Sequence, residues 1–176
     1  MRPCRRPWFA SDVREEVMAS DAAMHEAAHA VAAVVLQRDF RSVSIVPRGD
    51  YAGRIAGFSR AGNDSPESRR QLAVIIDASL AAEVYRRRRR GEPLPSGKEM
   101  RPLISDGCVL ERFEAIDGEA ALEEAIEEAL ELVVEHWDAV LRVADALDAR
   151  KMLSHRQVTE LVMKQRRPDR QWDERD

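Results

Sequence analysis

Cysteine, aromatic residues and long apolar runs are all scarce in this chain. Its 176 residues include two cysteines, Cys4 and Cys108, which are too few for a disulfide framework and fit a reducing compartment. No apolar run reaches the roughly 18 residues that a membrane span needs, and none follows the arginine-rich start as it would in a signal peptide. These absences predict a cytoplasmic protein without a membrane span.

Positive charge is not in excess either, because the net charge is −4 at pH 7. That balance argues against a general nucleic-acid binder. The exception is the run of five arginines from Arg86 to Arg90. It lies at the end of a predicted helix, where positive charge complements the helix dipole, and a contact with the acidic segment 111–135 of another copy is the alternative. We expect no nucleic-acid partner.

The chain is predicted to hold one domain, since 44% of its residues are hydrophobic and its length suits a single core. Residues 1–10 are rich in arginine and proline and are predicted to be a disordered lead-in, and 165–176 a charged tail. The domain between them, 11–164, divides into a first helix with a hairpin over 11–63 and a helical part over 64–164.

The predicted fold class is mainly α with a small β-hairpin. Residues 40–47 alternate, with Val43 and Ile45 on one side, and 53–59 follow as a short antiparallel strand. The helices are predicted over about 21–37, 66–90, 119–149 and 153–164.

Histidines are also few, yet two of the four lie in one motif, His25-Glu26-Ala27-Ala28-His29. Residues four apart project from one face of a helix, about 6 Å apart along its axis. This spacing lets two imidazoles bind one Zn²⁺, while the glutamate acts as general base on the attacking water. The surrounding alanines favour a helix. The alternative is a helix whose histidines share a face without binding metal.

A zinc protease site needs a third protein ligand and keeps one position open. No further histidine is near, so the ligand is expected to be a carboxylate. Spacing alone does not choose among the candidates, which are Asp50, Asp64, Asp77, Glu83 and Asp106.

The stretch AMHEAAHAVAAVVLQRDFRSVSIVPRGDYAGRIAGFS, residues 23–59, resembles the peptidase domain of the FtsH-type ATP-dependent zinc proteases. In that family an HEAGHA helix precedes a strand with a V-x-I-x-P-R-G-like ending. Residues 73–85 are similar to its next helix, and Ile104-Ser105-Asp106 resembles the motif whose aspartate is the third zinc ligand. The resemblance implies a zincin-like domain with a C-terminal helical bundle.

The same resemblance implies that His25, His29 and Asp106 bind Zn²⁺ and that Glu26 is the general base. The expected function is a zinc-dependent endopeptidase acting on unfolded proteins or peptides. The alternative is a non-catalytic relative that serves as an interaction or regulatory module. The chain shows neither GxxxxGK[ST] nor a membrane span, so a stand-alone enzyme, or one working with a separate unfoldase ATPase, is expected. A monomer and a homo-oligomer both remain open.

Three positions bear on the details of the expected site. Ala28 stands where the family has glycine. Asp77, also in place of a glycine, is either a hydrogen-bond partner of a ligating histidine or an aspartate that is solvated or ion-paired. The strand Val43–Pro47 is either an edge to which an extended peptide adds or an ordinary hairpin edge.

Overall fold

The computed structural model of the chain describes residues 19–47, 53–58, 65–94 and 114–164. The predicted lead-in, the charged tail and Asp106 lie outside these residues, and the predicted domain boundaries stay predictions.

Helices dominate the described part of the chain, which confirms the prediction of a mainly α fold with a small β component. A single helical turn at 114–117 precedes the third long helix. In chain order the elements are α1 (Asp21–Val35), β1 (Ser42–Ser44), β2 (Arg54–Ala56), α2 (Pro66–Arg90), α3 (Glu119–Glu135), α4 (Trp137–Arg150), β3 (Met152–Ser154) and α5 (His155–Met163). None of the helices in these described segments is long and apolar enough to span a membrane.

Helix α1 is the centre of the fold and packs against α2, α4 and α5. All of its alanines except the partly buried Ala22 are fully buried. Because these side chains are small, neighbouring elements approach the helix from several sides, as expected for a helix that is apolar around most of its circumference. The helix starts at Ser20, whose hydroxyl accepts a hydrogen bond from the Ala23 N–H at 3.3 Å. The Ser20 N–H and hydroxyl both donate to Asp148 on α4, each at 2.6 Å. These bonds hold the start of α1 to the helical part of the domain.

The sheet has three strands in the order β2-β1-β3, all antiparallel. The predicted hairpin is therefore present as β1 and β2, with Val43 opposite Ile55. β3 was not predicted: residues 153–155 were expected to open the last helix, but Leu153 pairs with Val43 and is fully buried. Because β1 has neighbours on both sides, both alternatives offered by the sequence, an edge to which a peptide adds and an ordinary hairpin edge, are wrong for this strand.

The long helix predicted over 119–149 is two helices, with a break at His136. The His136 N–H still closes the turn to the Leu132 carbonyl, but its backbone leaves the helical region. The two halves serve different neighbours, since α3 packs along α2 and α4 packs on α1. Trp137, the first residue after the break, is buried with its ring centroid 5.0 Å from that of Tyr85.

Helix α2 has the bounds expected from the sequence, beginning at Pro66 after the Ser65 cap and ending before Gly91. Part of the arginine run is paired within the chain. Arg86 donates to Asp21 at 2.8 Å and Arg87 to Glu83 at 2.6 Å. The first of these bonds joins the end of α2 to the start of α1.

Candidate metal centre

His25 and His29 meet on one face of α1, as the spacing predicts. Their Nε2 atoms are 3.1 Å apart, and the two rings stand nearly perpendicular at 87° with centroids 4.6 Å apart. Two nitrogens that share a tetrahedral zinc at bonds of about 2.05 Å lie about 3.3 Å from each other. The observed separation therefore fits the joint binding of one metal ion within a few tenths of an ångström.

The tautomer of His29 is fixed by a backbone carbonyl. Its Nδ1 lies 2.6 Å from the Ile75 carbonyl oxygen on α2. A carbonyl only accepts, so Nδ1 carries a proton and donates, and whenever the ring is neutral its lone pair is on Nε2. In known metal sites a hydrogen bond of this kind orients the ligating imidazole and raises its basicity.

The charge state of His25 also suits a ligand. Burial, reinforced by the neighbouring His29, lowers the pKa of His25 from 6.5 to about 3. The ring is therefore neutral at pH 7, with one nitrogen free of a proton. A metal ligand must be deprotonated, so this environment removes the competition from protons near neutral pH.

Glu26 lies on the buried side of α1, with 5% of its surface exposed. Its side chain packs against the backbone of Gly53, one residue before β2 begins. A Cβ at Gly53 would stand 2.6 Å from both the Cγ and Oε1 atoms of Glu26. The carboxylate thus lies where α1 meets the sheet, next to the histidine pair in sequence but about 60° to 100° away from the two histidines around the helix.

No third protein ligand joins the histidine pair in the described part of the chain. Within residues 19–47, 53–58, 65–94 and 114–164, no cluster of three or more metal-binding side chains forms. Of the carboxylates left open by the sequence, Asp77 and Glu83 are described and do not join the histidine pair; Glu83 instead accepts from Arg86 and Arg87. Asp50, Asp64 and Asp106 lie outside the described residues.

Asp77 is buried in α2 with 5% of its surface exposed. One alternative from the sequence is that Asp77 orients a ligating histidine. For His29, the hydrogen-bond partner of Nδ1 is instead the Ile75 carbonyl. The expectation of a solvated aspartate is wrong, because the side chain is buried. Its Oδ2 atom has no hydrogen-bond partner among the described residues. Burial raises the pKa of the Asp77 carboxyl from 3.8 to about 6.

Asp77 makes stability depend on pH. Because its folded pKa is above the unfolded value, its contribution to stability is intact below about pH 4 and is lost as pH rises through about 6. We compare the unfolding free energy of Asp77→Asn with that of the wild type. The difference between them should shift in favour of the variant by about 2 kcal/mol when the pH is raised from about 4 to about 7.5. Denaturant unfolding of both proteins at the two pH values measures this gain. A difference that does not change with pH would show that Asp77 is not the titrating group.

The sequence reveals the two histidines and Glu26 but not every residue that supports them. The Ile75 carbonyl is a backbone atom, for which a sequence carries no signal. Gly53 does leave a trace, since a glycine beside a strand often marks a close approach of another group.

Comparison with known proteins adds no relative to this geometry. No protein-family model matches the chain, and no curated protein matches it significantly. The resemblance to FtsH-type peptidases therefore rests on the motifs alone.

Proposed function

We propose that this protein is a zinc-dependent endopeptidase of the FtsH-peptidase type, which hydrolyses unfolded proteins or peptides. The observation that carries the proposal is the histidine pair on α1. Two imidazoles bring their Nε2 atoms within 3.1 Å of each other, and one of them is oriented by a backbone carbonyl. The Nε2 separation is close to that of two nitrogens on one tetrahedral metal ion, and the bond from Nδ1 to a carbonyl is of the kind that orients metal-binding imidazoles.

The proposed ligands are His25, His29 and Asp106, the last by the resemblance of its motif. When bound by them, Zn²⁺ supplies Lewis acidity that polarises the scissile carbonyl and brings the pKa of a water towards neutrality. Glu26 takes the proton from the attacking water and returns it to the leaving amine. The Ile75 carbonyl keeps His29 in the required tautomer throughout.

The outer edge of β2 is the proposed place for the substrate backbone. Among the described residues β2 pairs only with β1, and no strand of this part of the chain covers its other edge. An extended peptide adds to such an edge through main-chain hydrogen bonds, which tolerate many sequences. β2 begins one residue after Gly53, and Gly53 packs on Glu26, so the edge leads to the proposed base. This supports unfolded polypeptide as the substrate class.

The test is hydrolysis by the purified full chain, loaded with one equivalent of zinc. The probes are a mixture of quenched fluorescent peptides and a reduced, alkylated protein. We expect cleavage of both, lost on chelation and restored by added zinc. Tight zinc binding without cleavage of any probe would contradict the protease and favour the non-catalytic module.

A further inference from the structure

Gly53 closes over the proposed base more tightly than any other residue type would allow. A Cβ built on its backbone would lie 2.6 Å from the Cγ, 2.6 Å from the Oε1 and 2.8 Å from the Cδ of Glu26. Real Cβ contacts do not occur at such distances, so a side chain here would displace Glu26 or the strand. Glu26 is itself 5% exposed and has little room to move.

The glycine is needed for space and not for backbone freedom. Gly57, Gly91 and Gly118 have positive φ angles, but Gly53 is not among the residues with this conformation. Any residue type therefore suits the backbone of Gly53, and the missing side chain is what the position uses. Gly57 offers the contrast, with φ +78° and a built Cβ 2.8 Å from the Cβ of Arg41.

We propose that Gly53 is a positioning residue, whose missing side chain lets the start of β2 clamp the Glu26 side chain in its working orientation. The inference rests on the proposed function for the role of Glu26, but the packing it describes does not. A carboxylate that α1 and the strand already hold in one orientation loses less conformational entropy on reaching the transition state of proton transfer than a mobile carboxylate does. The same contact sets the distance between the base and the open edge of β2.

A double-mutant cycle on zinc-free protein tests the packing. All three atoms that a Cβ at position 53 would meet are beyond the Cβ of Glu26, so Glu26→Ala removes them and Glu26→Gln keeps their positions. We expect Gly53→Ala to lower Tm by about 5 °C in the wild type and in Glu26→Gln, and by less than about 1 °C in Glu26→Ala. If Gly53→Ala does not fold in the wild-type background, recovery of folding in Gly53→Ala/Glu26→Ala gives the same answer.

Gly57→Ala is the matched control at the other end of β2. Its strain arises from its positive φ and from Arg41, so its Tm loss should be the same in all three Glu26 backgrounds. An equal loss for Gly53→Ala in the presence and absence of the Glu26 side chain would overturn the inference, and so would no loss in any background.

The kinetic readout separates positioning from a loss of structure. With zinc bound, we expect Gly53→Ala to lower kcat by about 10- to 100-fold while KM changes by less than about twofold. Zinc stoichiometry should stay that of the wild type. An unchanged kcat, or a rise of KM alone, overturns the positioning role. A Tm loss of Gly53→Ala that depends on the Glu26 side chain, in a protein that cleaves none of the probes, is a further outcome. That result refutes the proposed function but keeps the packing of Gly53 on Glu26.

Discussion

Glu26→Gln is expected to reduce peptide hydrolysis by about 1,000-fold while zinc stays bound, because a positioned general base contributes about 10²- to 10⁴-fold. Glutamine keeps the shape of the side chain and its packing against Gly53 but cannot accept a proton from water. The measurement is kcat/KM on a fluorescent peptide, together with metal content by elemental analysis.

Glu124→Gln is the control for this change, since Glu124 is exposed on α3. It removes the same charge from the chain and should leave both activity and zinc as they are. Glu26→Gln that keeps more than about a tenth of the wild-type rate would rule out Glu26 as the base. If zinc is lost as well, Glu26 supports the metal site and its role as base is not separable from it.

His29→Ala is expected to abolish zinc binding. Losing only a hydrogen-bond partner of a metal ligand lowers affinity by about 10- to 100-fold, and losing the ligand itself should lower it by more. The change removes one of two convergent Nε2 atoms and leaves the Ile75 carbonyl without its donor. Some stability is lost too, since His29 is 6% exposed and alanine leaves space behind. Calorimetric titration with zinc measures the affinity, and circular dichroism checks that the variant is folded.

His136→Ala provides the comparison for that experiment. His136 lies between α3 and α4, its side chain is half-buried, and it takes no part in the proposed site. Its zinc affinity should equal that of the wild type. Comparable zinc affinities for His29→Ala and the wild type would place the metal elsewhere.

Local patterns predicted the helices well where caps and periodicity agreed. α2 has its predicted bounds because Ser65 and Pro66 mark its start and Gly91 its end. The break of α3 from α4 escaped prediction because His136 has no special helix-breaking chemistry. The cause is tertiary packing, because α3 packs against α2, α4 packs against α1, and the buried Trp137 lies at the junction.

The sheet shows the same limit. β3 is three residues long, too short for an alternating pattern, and it is a strand only because Leu153 pairs with the distant Val43. Once β3 is added, β1 is the central strand. Within the described segments the unpaired edge is therefore that of β2, and not that of β1, where both alternatives from the sequence placed an edge.

Of the candidate site, the sequence predicts what helix geometry determines. His25 and His29 share a face because they are four residues apart on a helix, and their convergence follows. It does not predict the partner of His29, because the Ile75 carbonyl comes from another helix. Nor does it predict that Asp77 is buried, since an aspartate in a helix is most often exposed.

The most direct test of this account is the zinc content of the purified full chain after mild chelation and re-addition of zinc, beside an Asp106→Ala variant. We expect about one zinc per wild-type chain, with weaker retention in the variant, because His25, His29 and Asp106 are the three proposed ligands. No retained zinc in the wild type would contradict it. The histidine pair on α1 would then be a packing feature of a non-catalytic module.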